Sequence, residues 1–292
     1  MKRIKIGLYG RCSGVENVGQ LKTLIELLQK RAVVCIYEPF LAYLQEKFDT
    51  KIECERFTSV NDIGGDLICL LSAGGDGTFL EASQFSVEHG IPILGINFGR
   101  LGFLAQVPAN EVEPAIEDLF EHNYTVEKRN LISVYNEDSG AFIANALNEV
   151  TIQRQGPAMI STTVFIDNAL LSSYWSDGIL VSTPTGSTGY SLSAGGPLML
   201  PDTQNFIITP IAPHNLNIRP IVISDNSKIL IKVTTRKGNA ALSVDNRMFE
   251  IASGTKITVK KSQSVLNFIK LKNYNFFKTL HTKLNWGIDM RN

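Results

Sequence analysis

The stretch from Leu67 to Leu80, which reads LICLLSAGGDGTFL, constrains the fold of this chain more than any other. Its residues up to Ala73 are all apolar or small, which is typical of a strand that is buried on both faces. Glycines follow at positions 74, 75 and 77, and a backbone without Cβ atoms can turn sharply and close its N–H groups on a large anion. From Thr78 the apolar residues recur at nearly helical spacing, so we expect the loop to open a helix whose positive end faces the same place.

Asp76 is the charged residue of this glycine loop. A carboxylate repels the phosphate that the loop would attract, unless it takes a proton or holds a cation. This conflict indicates that Asp76 has a functional role, either in taking up a proton or in holding a cation. The alternative interpretation is an ordinary strand-to-helix turn that happens to carry an Asp, because short motifs also occur by chance.

Strands and helices alternate through the first part of the chain. Strand-like apolar runs lie at residues 4–8, 32–37, 67–72 and 91–97, and segments of helical spacing separate them. This order predicts an α/β domain over residues 1–123, with an open, doubly wound parallel sheet and right-handed crossovers. Ligands of such sheets lie beyond the carboxyl ends of the strands, where the Gly74 loop would be.

From residue 124 to about residue 265 the pattern changes to many short strand-like runs with polar turns, which predicts a C-terminal antiparallel, β-sandwich-like domain. Asp167-Asn168 is a hairpin turn signal, and the run from Ile143 to Ile152 is interpreted as one strand. Helical spacing returns in the segment 266–292, where an apolar face carries Phe276, Phe277, Leu280 and Leu284. We therefore expect this segment to pack back on the N-terminal domain.

Composition excludes some classes of function. The 292 residues include 28 basic and 28 acidic ones, and no run of Lys and Arg exceeds two, so neither a nucleic-acid partner nor a membrane partner is expected. The four cysteines have no C-x-x-C spacing and are interpreted as reduced. No segment has the length and apolar character of a signal peptide or a membrane span, so we expect a cytoplasmic protein.

Three further polar stretches are candidates for ligand binding. The segment Ser176–Ser191 repeats the order of an acid, a short strand and a turn rich in glycine and hydroxyls, although it could be an ordinary serine-rich loop. Asn148-Glu149 lies within the predicted strand, where adjacent residues face opposite sides, so one of them needs a buried partner: a sugar hydroxyl, an adenine edge or another protein group. Asp245-Asn246 could be no more than a hairpin turn. His89, His122, His214 and His281 lie in no metal-ligand spacing.

Together these residues resemble the NAD kinase family. The similarity rests on segments that occur in the family's order: GGDGT at 74–78, LGFL at 101–104, Asn148-Glu149, DG at 177–178 with TPTGSTGYSLSAGGP, TPIAPHNLNIRP at 209–220 and SVDN at 243–246. GGDGT alone is shared with diacylglycerol and sphingosine kinases, whereas the second loop together with Asn148-Glu149 is specific. The resemblance implies ATP-dependent phosphorylation of the 2′-hydroxyl on the adenosine ribose of NAD, which gives NADP.

The resemblance also implies roles for single residues. Asp76 would take the proton from the 2′-hydroxyl as the catalytic base, and Gly74, Gly75, Gly77 and Thr78 would bind the phosphates of ATP. A divalent cation, Mg²⁺ in particular, is expected with the triphosphate, and its protein ligands are not assigned. The implied NAD-binding residues are Asp76, Gly77, Phe103, Asn148, Glu149, Asp177, Thr185, Thr188, Gly189, Tyr190, Ser191, Leu192, Ser193, Ala212 and Asp245. Arg100 and Gly189 occupy positions that vary in the family, so no mechanism is attached to either.

Two alternatives to this function remain at the level of the sequence. A lipid kinase would share GGDGT but would need an apolar groove for an acyl chain, against which the polar loop at Thr183–Ser191 argues. A dinucleotide sensor without activity would keep the pocket and could dispense with Asp76. The expected partners are NAD and either ATP or polyphosphate, and a homodimer or homotetramer is expected in which the β-rich domain supplies the contacts.

Overall fold

The computed structural model describes residues 4–12, 17–99, 102–272 and 274–286. The chain forms two compact units. The first runs to Glu127 and resumes at Leu266, and the second comprises Lys128–Val265. The fold class expected from the sequence is confirmed, because the first unit contains a parallel sheet with helices and the second contains antiparallel sheets.

The first unit is built from alternating strands and helices. In chain order these are β1 (Lys5–Gly10), α1 (Val18–Arg31), β2 (Val33–Tyr37), α2 (Glu38–Phe48), β3 (Glu55–Phe57), β4 (Leu67–Ala73), α3 (Asp76–His89), β5 (Ile93–Asn97), β6 (Val107–Pro108) and α4 (Val112–Phe120). The strands pair in parallel in the order β3-β2-β1-β4-β5, with β6 beside β5. Their apolar side chains and those of the helices form one buried core.

The strand order reverses between β1 and β4, which is the point where ligands of open α/β sheets bind. In this pair the last residues of the two strands, Gly10 and Ala73, lie opposite each other. The residues that follow, Arg11 and Gly74, therefore leave the sheet side by side at its carboxyl edge.

The second unit is a pair of sheets around a second core. Its elements are β7 (Tyr124–Asn136), β8 (Phe142–Ala146), β9 (Glu149–Arg154), β10 (Ile160–Ile166), β11 (Ala169–Ser176), β12 (Gly178–Ser182), α5 (Tyr190–Ser193), β13 (Asn205–Ile211), β14 (Ile221–Ser224), β15 (Ile229–Thr234), β16 (Ala240–Val244) and β17 (Arg247–Ile251). Two further elements complete the chain, β18 (Lys256–Leu271) and α6 (Phe276–Leu284). One sheet has the order β14-β13-β12-β9-β16-β17, and the other contains β11-β10-β15-β18 together with β7 and β8. Alternate residues of both sheets meet in the core, from Ile132 to Val259.

The hairpin predicted at Asp167-Asn168 is confirmed, since Ile166 pairs with Ala169 and both turn residues have positive φ. Two other predictions are wrong. The run from Ile143 to Ile152 is not one strand, because the chain leaves β8 at Ala146 and enters β9, in the other sheet, at Glu149.

The second correction concerns Phe277 alone, because the C-terminal segment begins as a strand and then becomes helical where its spacing predicts a helix. Phe268 of β18 pairs in parallel with Ile93 of β5, and the helix α6 starts at Phe276. Leu280 is buried in this helix, whereas Phe277 is 56% exposed and does not belong to its buried face. Among the residues that the structure describes, no helix has the length and apolar character that crossing a membrane requires.

Candidate active site

The glycine loop joins β4 to α3 at the carboxyl edge of the parallel sheet. The strand ends at Ala73 and the helix starts at Asp76, where its first internal bond runs from the N–H of Phe79 to the carbonyl of Gly75 (3.0 Å). The N–H groups of residues 76, 77 and 78 precede that bond and have no acceptor within the helix. They are the donors that this loop can offer to an anion.

Two of the predicted phosphate-binding residues contribute less than expected. The N–H of Gly74 donates to the carbonyl of Ile96 (2.9 Å), which ties β4 to β5, so it is not available to a phosphate. The side chain of Thr78 is buried against Gly74, where a Cβ would stand 2.4 Å from Thr78 Oγ1. Thr78 can therefore offer its backbone N–H, whereas its hydroxyl packs inside the loop.

The carboxylate of Asp76 is held by the backbone of the LGFL segment. It accepts hydrogen bonds from the N–H groups of Phe103 (2.7 Å, to Oδ2), Leu104 (3.0 Å, to Oδ1) and Ala105 (3.0 Å, to Oδ1). Oδ2 thus accepts one of the three bonds and has capacity for one more donor. The structure thus places the half-buried Phe103 next to Asp76, while Arg100 and Leu101 lie outside the described residues.

In the second unit, Asp245 has the same relation to Asn148 and Glu149. Its carboxylate accepts hydrogen bonds from the N–H groups of Leu147 (2.8 Å), Asn148 (2.9 Å) and Glu149 (3.1 Å). Asp245 occupies the two-residue turn between β16 and β17 with φ of 51°. It therefore holds the backbone of Leu147, Asn148 and Glu149 at the break between β8 and β9, and its contact with NAD stays a prediction.

Asn148 and Glu149 present two acceptor atoms that the protein does not use. Asn148 Oδ1 and Glu149 Oε2 are buried, and neither has a hydrogen-bond partner among the residues that the structure describes. A buried acceptor without a donor is costly in a folded protein, so such atoms mark a place for a ligand that donates hydrogen bonds. Hydroxyl groups of a ribose or the amino group of an adenine have this chemistry.

The electrostatics of Glu149 fit an enclosed site. The pKa of the Glu149 carboxyl is raised to about 8, mainly by burial and also by the nearby charge of Asp245, against the opposing hydrogen bond from the backbone of Tyr190. At neutral pH the carboxyl of the unliganded protein is therefore mainly protonated. Perturbed carboxyls of this kind concentrate at functional sites.

The glycine- and hydroxyl-rich segment packs directly on this pair. A Cβ at Gly186 would stand 2.1 Å from the carbonyl oxygen of Asn148, and one at Gly189 would stand 2.8 Å from Glu149 Oε2. The N–H of Thr183 donates to the Asn148 carbonyl (2.9 Å). Gly186 was not singled out by the sequence, although a Cβ there would meet backbone atoms, whereas a Cβ at Gly75 in the first loop would have no atom within 4 Å.

The other predicted residues of this segment differ in accessibility. Thr185 is buried at the start of a short helical turn, Thr188 is half-buried and bonds back to the Thr185 carbonyl (3.2 Å), and Tyr190 is 39% exposed. Ser191 is buried, and its hydroxyl lies 3.4 Å from that of Thr209, so its side chain faces the protein interior. Leu192 is half-buried and Ser193 is exposed.

Asp177 and Tyr190 line a cavity of about 460 Å³ together with Gln153, Arg154 and Ile211. Arg154 donates to both carboxylate oxygens of Asp177 (2.6 and 3.3 Å), and the amide of Gln153 donates to the Tyr190 hydroxyl (2.8 Å). These two side chains were missed in the sequence, where polar residues at the end of a strand-like run carry no distinctive signal. Ala212 follows Ile211 with φ of 43°, next to Asp177 in the sheet.

Both units match models of one protein family. Residues 21–124 match the ATP-NAD kinase N-terminal domain, and residues 147–271 match the ATP-NAD kinase C-terminal domain. The NAD kinase of Cytophaga hutchinsonii is 42% identical over 98% of this chain and 99% of its own length. That of Flavobacterium psychrophilum is 43% identical over 99% of this chain and 100% of its own length.

Solved structures agree on the fold. A crystal structure of an NAD kinase from Archaeoglobus fulgidus in complex with ATP superposes with a TM-score of 0.72 at 26% identity, over 97% of this chain and 99% of that one. A yeast NADH kinase complexed with NADH gives a TM-score of 0.87 at 23% identity, over 99% of this chain and 89% of that one, which is evidence for the fold. The family models describe ATP-NAD kinases in both halves of the chain, so the shared GGDGT loop is not that of a lipid kinase. With two family models and full-length relatives in agreement, this chain belongs to the NAD kinase family.

Proposed function

We propose that this protein transfers the terminal phosphoryl group of ATP to the 2′-hydroxyl on the adenosine ribose of NAD, giving NADP. The observation that carries the proposal is the pair of buried acceptor atoms on Asn148 and Glu149, which have no partner among the described residues and suit the hydroxyls and amino group of an adenosine. The full-length NAD kinase relatives and the structure complexed with ATP support the same reaction.

In this proposal the free N–H groups at residues 76–78 bind phosphoryl oxygens. Asp76 accepts the proton of the 2′-hydroxyl at Oδ2, the carboxylate oxygen that receives a single backbone hydrogen bond. The amides of residues 103–105 hold this carboxylate still, so its orientation is set before the substrate arrives. Asp177 and Tyr190 contact the remainder of the dinucleotide.

We further propose that Mg²⁺ enters with the nucleotide. No group of three or more His, Cys, Asp or Glu side chains that could hold a metal occurs in the part of the chain that the structure describes. That arrangement fits Mg²⁺, which commonly binds through one or two carboxylates plus the phosphates of a substrate and keeps several waters. When bound with the nucleotide, the cation would supply positive charge that stabilises the charge developing on the transferred phosphoryl group.

The decisive experiment incubates the purified protein with NAD, Mg²⁺ and either ATP or inorganic polyphosphate, and follows NADP formation with an enzyme that accepts NADP and not NAD. We expect NADP with ATP, and comparison of the two donors gives the preference between them. Omission of Mg²⁺ with a chelator present should abolish turnover. Absence of NADP from both donors would contradict the proposal.

The assembly is proposed to be a homodimer or homotetramer formed through the second unit, in the cytoplasm. Its outermost strands expose large apolar side chains: Leu170 on β11 is 62% exposed, Val222 on β14 is 42% exposed and Met248 on β17 is 73% exposed. Unpaired strand edges with apolar residues favour association. Free cysteines at positions 12, 35, 54 and 69 fit a reducing compartment. Light scattering that detects only a 32.2 kDa monomer at micromolar concentration would contradict the oligomer.

A further inference from the structure

Arg11 lies where the parallel sheet changes direction, next to the glycine loop. It is the first residue after β1, whose last residue Gly10 lies opposite Ala73, the last residue of β4. A Cβ built on Gly77 would stand 3.5 Å from Arg11 Nη1 and 3.9 Å from Cζ. The guanidinium group therefore lies beside the Gly77 backbone, which belongs to the loop whose N–H groups are proposed to bind phosphoryl oxygens.

The guanidinium is fixed in orientation by Glu81, one turn further along α3. Arg11 Nε donates to Glu81 Oε2 (2.7 Å) and Nη2 donates to Oε1, a bidentate pair. The hydroxyl of Tyr9 also donates to Glu81 Oε2 (3.1 Å). The pair raises the pKa of Arg11, which keeps the guanidinium positively charged.

This arrangement leaves the Nη1 group of Arg11 for another acceptor. Neither of its N–H bonds has a partner in the described parts of the chain, and the Arg11 side chain is 41% exposed. A surface pair that served stability alone could lie anywhere on the unit. This one places the unused donors beside Gly77, at the edge where the sheet binds ligands.

We propose that Arg11 is a phosphate-binding residue of this enzyme, which donates from Nη1 to a phosphoryl oxygen of a nucleotide substrate at the Gly77 face of the loop, while Glu81 positions it. The shared chemistry is a phosphoryl oxygen, which the triphosphate of ATP and the diphosphate of NAD both carry. The inference rests on the proposed kinase reaction. A guanidinium at this point adds positive charge beside a glycine loop whose own charged side chain is the carboxylate of Asp76.

The test compares Arg11→Gln, Arg11→Lys and Glu81→Gln with the parent protein. The matched control is Arg56→Gln, which removes another salt-bridged arginine of the same unit, paired with Glu38 (3.4 Å) and remote from the loop in sequence. Steady-state KM values for ATP and for NAD are measured separately. The stabilisation of each protein by inorganic pyrophosphate is measured by thermal denaturation, a readout that needs no turnover.

We expect Arg11→Gln to raise the KM of one nucleotide about 10- to 100-fold, the range for loss of a charged hydrogen bond, and to abolish the rise in Tm with pyrophosphate. The nucleotide whose KM rises identifies the source of the phosphate. Arg11→Lys should keep part of the nucleotide affinity and of the stabilisation by pyrophosphate. Glu81→Gln should lose less of both than Arg11→Gln, because the charge of Arg11 remains. Arg56→Gln should match the parent in both.

Two results would overturn the inference. One is Arg11→Gln with both KM values and the pyrophosphate stabilisation within twofold of the parent. The other is an equal loss of nucleotide affinity in Arg11→Gln and Glu81→Gln, accompanied by an equal fall in the Tm of the two proteins without ligand. That pattern is expected of an ion pair that only stabilises the fold. A parent protein that makes no NADP but is stabilised by pyrophosphate through Arg11 would contradict the proposed reaction and leave the phosphate contact standing.

Discussion

Gly102 lies so close to Asp76 that a Cβ at residue 102 would stand 1.7 Å from Asp76 Oδ1. The chain then donates three successive N–H groups, from residues 103 to 105, to the same carboxylate. The glycine of the LGFL segment is thus required by the carboxylate of the GGDGT segment, and the two motifs form one structure.

Replacement of Gly102 by Ala should impair catalysis without removing any catalytic group. The methyl group cannot fit beside Asp76 Oδ1, so the backbone of residues 102–105 must move and the carboxylate must turn. We expect kcat to fall about 10- to 100-fold, as for a misplacement near 1 Å, and the free energy of unfolding to fall by about 1–3 kcal/mol. Steady-state kinetics and urea denaturation measure the two effects. Gly65→Ala, where no atom lies within 4 Å of the new Cβ, is the control and should match the parent.

Replacement of Asp76 by Asn should reduce both catalysis and stability. An amide cannot take the proton of the 2′-hydroxyl, so we expect kcat to fall by about 10² to 10⁴. Its NH₂ group would also face the backbone donors of residues 103–105, which leaves a buried N–H without an acceptor and costs about 1–3 kcal/mol of stability. Calorimetry with NAD and ATP shows whether binding survives.

Asp245→Asn is the matched control for Asp76→Asn. Asp245 also accepts hydrogen bonds from three backbone N–H groups, in the second unit, so its replacement by Asn should cause a similar loss of stability. The variant should bind NAD more weakly, whereas its chemical step should not slow. If Asp76→Asn keeps its activity within tenfold of the parent, Asp76 has no part in proton transfer.

Replacement of Glu149 by Ala should weaken NAD binding more than it slows turnover at saturation. A carboxylate that accepts hydrogen bonds from the adenosine acts in the ground state and the transition state alike, so its loss appears mainly in KM. The expected loss is about 0.5–3 kcal/mol, a range that covers hydrogen bonds to a neutral and to a charged carboxyl, since Glu149 is protonated below about pH 8 in the unliganded protein. A thousandfold fall in kcat with an unchanged KM for NAD would assign Glu149 to the chemical step.

The pH dependence of stability should report the buried carboxyl of Glu149. Its pKa is about 8 in the folded protein and its ordinary value is 4.5, so between these pH values the folded state binds the proton and the unfolded state does not. The contribution of Glu149 to stability therefore falls as pH rises through this window, by about 1.4 kcal/mol per pH unit. Glu149→Gln should gain stability relative to the parent from pH 5 to pH 8, as measured by urea denaturation. A difference between Glu149→Gln and the parent that stays constant with pH would contradict the shift. Glu250→Gln, at an exposed position of the same unit, is measured alongside as the control.

The two glycines that pack on the Asn148-Glu149 pair should differ in their tolerance of Ala. At Gly186 the new Cβ meets the backbone carbonyl of Asn148 at 2.1 Å, which cannot yield, so we expect a loss of at least about 1–3 kcal/mol in stability and strongly impaired NAD binding. At Gly189 it meets the movable end of Glu149 at 2.8 Å and the Gly186 carbonyl at 3.2 Å, which a shift of a few tenths of an ångström would relieve. A KM for NAD raised by less than about tenfold is therefore expected with near-parental stability. Gly156→Ala, with no atom nearby, is the control; equal effects at positions 186 and 189 would contradict this packing.

The sequence by itself determined the features that depend on local physics. The unbroken run of apolar and small residues specifies β4, and the glycines specify the turn after it. The change from helical to alternating patterns near residue 124 separates an α/β part from an all-β part. The turn at Asp167-Asn168 is likewise local, because both residues tolerate positive φ.

Only the tertiary structure decided what the motif side chains contact. The end of β8 at Ala146 could not be predicted within an apolar run. The carboxylate that binds the backbone there belongs to Asp245, which comes almost a hundred residues later in the chain. Asp76 and Asp245 look like catalytic or ligand-binding acids in the sequence, yet each accepts three backbone N–H groups from a distant segment. Arg11, Arg154 and Gly186 carry no local signal at all. Hydrogen bonds and close backbone approaches depend on which segments the sheets bring together, and a single chain's periodicity holds no information about residues so far apart along it.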